Sequence, residues 1–150
     1  MRLAQATALP VFLHCRDAHD DFISILKEFP DVPKCVHCHT NPNAQHLADL
    51  LALDCYIGIT GWVADDRRGV GLQDLIPSIP LDRLFIETDA PYLLPRNMPK
   101  PWPKLNEPAL LPYVADQIAR SYNGQHTAEA IATQTTQNAI RFFRLSCKPQ

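Results

Sequence analysis

Four short apolar runs punctuate the chain: Val11 to Leu13, Cys35 and Val36, Cys55 to Ile59, and Leu84 to Ile86. They are rich in β-branched or aromatic residues and bounded by Pro, Gly, Asn or Asp, which predicts buried strands. Between the first two, Asp17 to Phe29 sets Phe22, Ile25, Leu26 and Phe29 at i, i+3, i+4 and i+7, the apolar stripe of an amphipathic helix. Ala44, Leu47, Ala48 and Leu51 repeat that spacing after the second run. A shorter helical turn around Leu72, Leu75 and Ile76 follows the third and ends near Pro77. Strands alternating with helices predict βα units and a parallel sheet, because a parallel connection needs a crossover long enough to return to the starting edge.

After the fourth strand the pattern lapses into a proline-rich loop from Pro91 to Pro108, too long for an ordinary connection and therefore expected to be functional. Two helical patterns close the chain, one on Leu111, Val114, Ala115 and Ile118, the other on Ile131 and Ala132 and later Phe142 and Phe143. Pro108 suits a first helical turn and Thr127 an N-cap. There is no internal repeat and no low-complexity segment, so residues 1–150 read as a single α/β domain.

Composition changes this picture little. At 46% hydrophobic and 20% charged residues the chain is ordinary for one globular domain. A net charge of -2 offers no polycationic surface, so a phosphate substrate must be held locally by metal ions or a few arginines. Five cysteines form an odd set with no disulfide framework, which points to reduced thiols and a cytoplasmic, cytosol-like compartment. The segment from Leu3 to Leu13 is broken as a leader by Gln5, Thr7 and Pro10. No run reaches about 20 apolar residues, so neither export nor membrane spanning is expected.

The chemistry gathers at the strand ends. The first run ends at His14, with Arg16 just beyond; the second ends at His37; the third at Thr60, followed by Trp62; the fourth at Glu87, Thr88 and Asp89. Parallel α/β sheets place their sites at the carboxyl ends of the strands, so these residues are expected to converge. Two histidines and an aspartate at one rim suit Zn, Mn, Fe or Mg. A lone strand-end histidine is more often a structural group, and Asp89 alone reads as a turn cap. Their shared position argues for a metal site. Cys35 and Cys38 form a C-x-x-C whose side chains on a strand point to opposite faces, whereas His37 and His39 share a face and form a local H-x-H chelate. His19, His46 and His126 read as solvated surface residues. Arg67 and Arg68, after Asp65 and Asp66, read either as a charged loop or as phosphate contacts.

Taken together, PVFLHCRDA at 10–18, VHCHT at 36–40, YIGITGWVADDRRG at 56–69, FIETDAPYLLPR at 85–96 and NEP at 106–108 resemble the TatD family of deoxyribonucleases in order and spacing. The closing TTQNAIRFFRL is similar to that family's C-terminal helix. The resemblance implies a TIM-like (β/α) barrel of the metal-dependent hydrolase type, of which this chain carries about the last four βα units plus the C-terminal helices. It further implies two divalent metal ions (Mg, Mn or Zn), with His14, His37 and Asp89 as ligands and Asp89 as the catalytic group that orients or deprotonates water. Arg16, Arg96, Asn106 and Glu107 resemble residues lining the substrate cleft, and Trp62 is placed to stack on a base. The implied activity is hydrolysis of DNA phosphodiesters, as an exonuclease on single-stranded DNA.

The departures carry their own expectations. The family's first-strand H-x-H and fourth-strand glutamate have no counterpart in these 150 residues. His39 stands where the family usually has phenylalanine, Asn41 where it has glycine, and Leu105 where an arginine precedes the Asn-Glu-Pro. Two exposed sheet edges are expected to favour self-association, and fewer ligands to leave the isolated chain with weak activity or none. Two alternatives stay open: a non-catalytic binding or scaffold remnant of the same fold, and an amidohydrolase acting on an amide or lactone.

Overall fold

The four apolar runs pair as one parallel sheet in the order β1-β2-β3-β4 in this computed structural model, which describes residues 1–146. The strands are β1 (Val11–Leu13), β2 (Lys34–Val36), β3 (Tyr56–Ile59) and β4 (Leu84–Ile86). The register sets Phe12 beside Cys35, Cys35 beside Tyr56, and Gly58 beside Phe85. Side chains alternate along a strand, so this register sorts the sheet into two faces. Val36, Ile57, Ile59 and Leu84 face the main core. Cys35, Tyr56 and Phe85 face the other way and meet Phe142.

The crossovers are helical, as the periodicity requires: α2 (His19–Lys27), α3 (Ala44–Ala52) and α4 (Val70–Leu75). They follow α1 (Arg2–Thr7). Leu26, Leu47, Leu50 and Leu72 from these crossovers, with Val114 and Ile118 of α5 (Leu111–Ser121), are 0–2% exposed and close the main core. α2 is shorter than the stripe predicted because Asp17 takes φ 54° and Ala18 becomes the N-cap, so the helix cannot start earlier. At its other end Phe29 already belongs to a turn, its N–H donating to the Leu26 carbonyl.

Lys34 lies inside β2 at 2% exposure, against its type. Its ammonium donates to the carbonyls of Phe29, Pro30 and Val32 at 3.1, 3.1 and 2.8 Å, which fastens the α2–β2 turn. The last helix, α6 (Ala128–Phe143), is capped by Thr127, whose hydroxyl accepts from the Ala130 N–H. From α6 the fully buried Asn138 donates to the carbonyls of Leu81 and Leu84 at 2.7 and 2.9 Å. The start of β4 therefore meets a side chain where an open edge was expected. No helix among the described residues is long and apolar enough to cross a membrane.

Candidate functional site

Continuing the alternation past the strand ends puts His14, His37, Gly58 and Glu87 on the sheet face opposite the main core, with Glu87 two residues beyond the Phe85 that pairs with Gly58. Glu87 can cross β3 only because position 58 has no side chain: a Cβ there would fall on the Glu87 carboxylate and 3.2 Å from the His37 Cα. One Glu87 oxygen lies 3.2 Å from His37 Nδ1, and the other accepts from the Cys38 N–H at 3.3 Å. Burial raises the Glu87 carboxyl above its ordinary range, against the pull of the Cys38 N–H and His37. Ionised Glu87 can only accept, and in that state the proton belongs on His37 Nδ1 and the lone pair on its Nε2.

That lone pair faces His14, whose Nδ1 is 3.2 Å away. Two nitrogens bound to one ion at about 2.0–2.1 Å each lie roughly 3 Å apart, so this pair has a chelating separation and a set tautomer. Asp89 does not complete a trio with them. It lines the same cleft as His14, yet among the described residues no three His, Cys, Asp or Glu side chains are grouped closely enough to hold an ion. The donors of this chain fit a divalent ion as two nitrogens with a carboxylate nearby.

The cleft has a volume of about 700 Å³ and is walled by His14, Arg16, Asn41, Trp62, Asp89 and Leu93 among others. Asp89 sits exposed at φ 55° at the head of the proline-rich loop. Asn106 is 4% exposed, and its amide donates to the carbonyls of Thr88, Tyr92 and Leu93 at 2.8, 2.7 and 3.3 Å. Its carbonyl accepts from the Glu107 N–H. Asn106 thus shapes the loop that presents Asp89, and neither it nor the exposed Glu107 lines the cleft.

The H-x-H chelate does not form. Cys38 takes φ 49°, which ends the strand alternation and turns His39 away from His37. His39 is 6% exposed, and burial, aided by neighbouring His19 and His46, pulls its pKa down to about 4. Its Nε2 has no partner. His19 and His46 are not simply solvated: their rings stack at 3.7 Å and 4°, His19 bonds Asp49 at 3.1 Å, and His46 bonds Asn41 at 2.8 Å. His126 packs edge-on against Tyr122. Cys35 and Cys38 are both free thiols. Burial pushes both thiols up, so neither is primed as a nucleophile.

Beyond Trp62 lies a second hollow of about 210 Å³, lined by Trp62, Asp65, Arg68, Arg96 and Trp102 with Gly61, Leu93 and Leu94. Arg96 was expected in the substrate cleft, and the fold gives it to this neighbour instead. Trp62 is the wall between the two. One of its faces is covered by the Arg68 guanidinium, 4.2 Å from the ring centroid, and its indole N–H donates to the Arg68 carbonyl. Gly58 and Trp102 were absent from the sequence-based site; Glu87 entered it only as a strand-end residue and Arg68 only as one of two readings of a charged loop. Glu87 had a signal, being the strand-terminal residue two before Asp89; Trp102 had none, because only the folded loop brings it to Arg96.

The pattern characteristic of TatD related DNases matches residues 1–144. A 3'-5' ssDNA/RNA exonuclease TatD from Erwinia billingiae is 49% identical over 148 residues, covering 97% of this chain and 56% of that protein. The protein of the same name from Cronobacter turicensis is also 49% identical, with 99% and 57% covered. This chain therefore spans little more than half the length of the curated relatives it matches. Among solved structures, a TatD homologue from Escherichia coli superposes with a TM-score of 0.81 at 26% identity, covering 97% of this chain and 54% of that one. A TatD family hydrolase from Entamoeba histolytica gives 0.81 at 21% identity, with 95% and 53% covered, and supports the fold alone. The parallel sheet is thus an arc of a TIM-barrel hydrolase, and the chain belongs to the TatD related DNase family.

Proposed function

We propose that this chain supplies the His14, His37 and Asp89 part of a divalent-metal-dependent phosphodiesterase that removes nucleotides from single-stranded DNA. The observation that carries the reading is the pairing of His14 Nδ1 with His37 Nε2 at 3.2 Å, with Glu87 behind His37 and Asp89 on the same cleft. Two relatives named as ssDNA/RNA exonucleases support the substrate class.

The residues divide the work by position. His14 and His37 would hold an ion by imidazole nitrogen. When bound, such ions, two in the complete family site and drawn from Mg, Mn or Zn, stabilise charge on the phosphate and acidify water. Asp89, exposed and presented by the loop that Asn106 fixes, accepts the proton of the attacking water. Arg16, exposed on the cleft wall, pairs with a phosphate of the strand. Trp62 lines the cleft, where its indole can meet a base. With only two imidazoles and one carboxylate contributed, the chain alone should hydrolyse slowly or not at all. The free thiols of Cys15, Cys35, Cys38 and Cys55 support a cytosol-like compartment.

The test is calorimetric titration with Mn or Zn, followed by incubation of labelled single-stranded DNA with Mg or Mn. The assay compares this chain with a form extended at its N-terminus to the relatives' length. Ion binding lost in His14→Ala and His37→Ala, and nucleotide release by the extended form, are expected. An extended form that binds ions and leaves DNA intact would reject the reading, and hydrolysis of a lactone or amide would favour the amidohydrolase alternative.

A further inference from the structure

The hollow beyond Trp62 has the composition of a binding site that the reaction described above does not use. Two loops build it. Gly61, after β3, lies directly under the backbone of Leu93 and Pro95, so closely that a Cβ at 61 would strike the Leu93 carbonyl oxygen and the Pro95 nitrogen. That contact fixes the proline-rich loop against the turn carrying Trp62, Asp65 and Arg68.

Asp65 then organises the cations. Its carboxylate is 4% exposed and accepts from the backbone N–H of Arg67 and Arg68 at 3.1 and 3.0 Å. It also takes Arg68 Nε and Nη2 at 3.0 and 2.8 Å and lies 3.7 Å from Arg96 Nε. Those contacts leave Arg68 Nη1 and both Nη groups of Arg96 without a hydrogen-bond partner among the described residues. Arg68 also lies over the Trp62 ring, 4.2 Å from its centroid. Across the hollow Arg96 and Lys100 stand 5.9 and 5.1 Å from the ring of Trp102, which is 37% exposed. Two guanidiniums on one carboxylate leave an excess of positive charge, with Arg68 already held in place, beside the partly exposed Trp102 ring.

We propose that this hollow is a subsite for one phosphate-bearing nucleotide of the strand, its phosphate on Arg96 and Arg68 and its base on Trp102. The inference rests on the phosphodiesterase reading, because Trp62 and Leu93 line both spaces and make the hollow the next station along a strand lying in the cleft. Guanidinium forks match phosphate oxygens, and a base stacks on an indole whatever its sequence. The 210 Å³ of space takes a single unpaired unit, in keeping with a single strand. Because Asp65 and Trp62 hold Arg68 before any ligand arrives, little side-chain freedom is lost on binding.

The chain contains two tryptophans, Trp62 and Trp102, and both line this hollow, so intrinsic emission responds to a ligand there; because Trp62 also lines the cleft, the Arg96 variants separate the two spaces. Thymidine monophosphate, thymidine and inorganic phosphate are each titrated into the full chain in EDTA, which keeps ions away from His14 and His37. A saturable emission change is expected with the monophosphate and a weaker response with thymidine or phosphate alone. Arg96→Ala should bind the monophosphate at least about tenfold more weakly, Arg96→Lys should fall between, and Trp102→Phe should keep most of the affinity. Melting curves confirm that each variant is folded. Absence of saturation, or affinities unchanged in both Arg96 variants, would overturn the subsite. Monophosphate binding without DNA hydrolysis by the extended form would keep the subsite and reject the phosphodiesterase, and the reverse result would do the opposite.

Discussion

Glu87 crosses β3 over Gly58 and ends on His37, so a carboxylate from β4 sets the proton of an imidazole that follows β2. Gly58→Ala should displace that carboxylate and release His37, costing roughly 1 kcal/mol of stability through the lost buried hydrogen bonds. Ion affinity at His37 should fall about 10- to 100-fold, as expected when an orienting partner of a ligating histidine is lost. Glu87→Gln should do less harm than Glu87→Ala because an amide oxygen still accepts. Nitrogen chemical shifts of His37 in the metal-free chain check the idea: a tautomer unchanged in Glu87→Ala would contradict it.

His39 makes stability depend on pH. Its folded pKa of about 4 lies below the ordinary histidine value near 6.5. Between those values the unfolded chain binds a proton that the folded chain refuses, so stability should fall as pH drops from about 6.5 toward 4 and this loss should level off below. The groups facing it are His19, His46 and Asn41. His39→Phe should flatten this window in urea titrations at pH 7 and pH 5, and an equally steep dependence in the variant would assign the effect elsewhere.

Asn106 holds three carbonyls of the loop that carries Asp89. Asn106→Ala leaves them without their donor and should lower stability by roughly 2–3 kcal/mol. Asn106→Asp should also be harmful, since a carboxylate cannot donate. Thermal melts and hydrogen exchange over 88–93 check it; a neutral Asn106→Ala would show that the loop is held by its prolines.

The sheet face that carries His14 and His37 is thinly covered at one side. Phe12 is 50% exposed, with its ring 6.3 Å from that of Phe143, itself 42% exposed. Apolar surface of this kind favours association, and the apparent mass in sedimentation should rise with concentration. Phe12→Ser should reduce that rise; a monomer at all concentrations would remove self-association from the picture.

Much of this was legible in the chain itself. The alternation of short β-branched runs with i, i+3, i+4, i+7 stripes determined four parallel βα units, because backbone periodicity and crossover geometry leave few alternatives. The strand-end positions of His14, His37 and Asp89 followed from the same rule. Tertiary structure alone decided which neighbours each met. A positive φ at Cys38 sent His39 into the His19 and His46 group rather than beside His37. The missing side chain at Gly58 let Glu87 reach another strand's histidine, and a loop folded over Gly61 brought Arg96 and Trp102 to Arg68. Periodicity records the preferences of a segment for buried or exposed faces; contacts between segments depend on clearances and single dihedral angles that no pattern of apolar positions encodes.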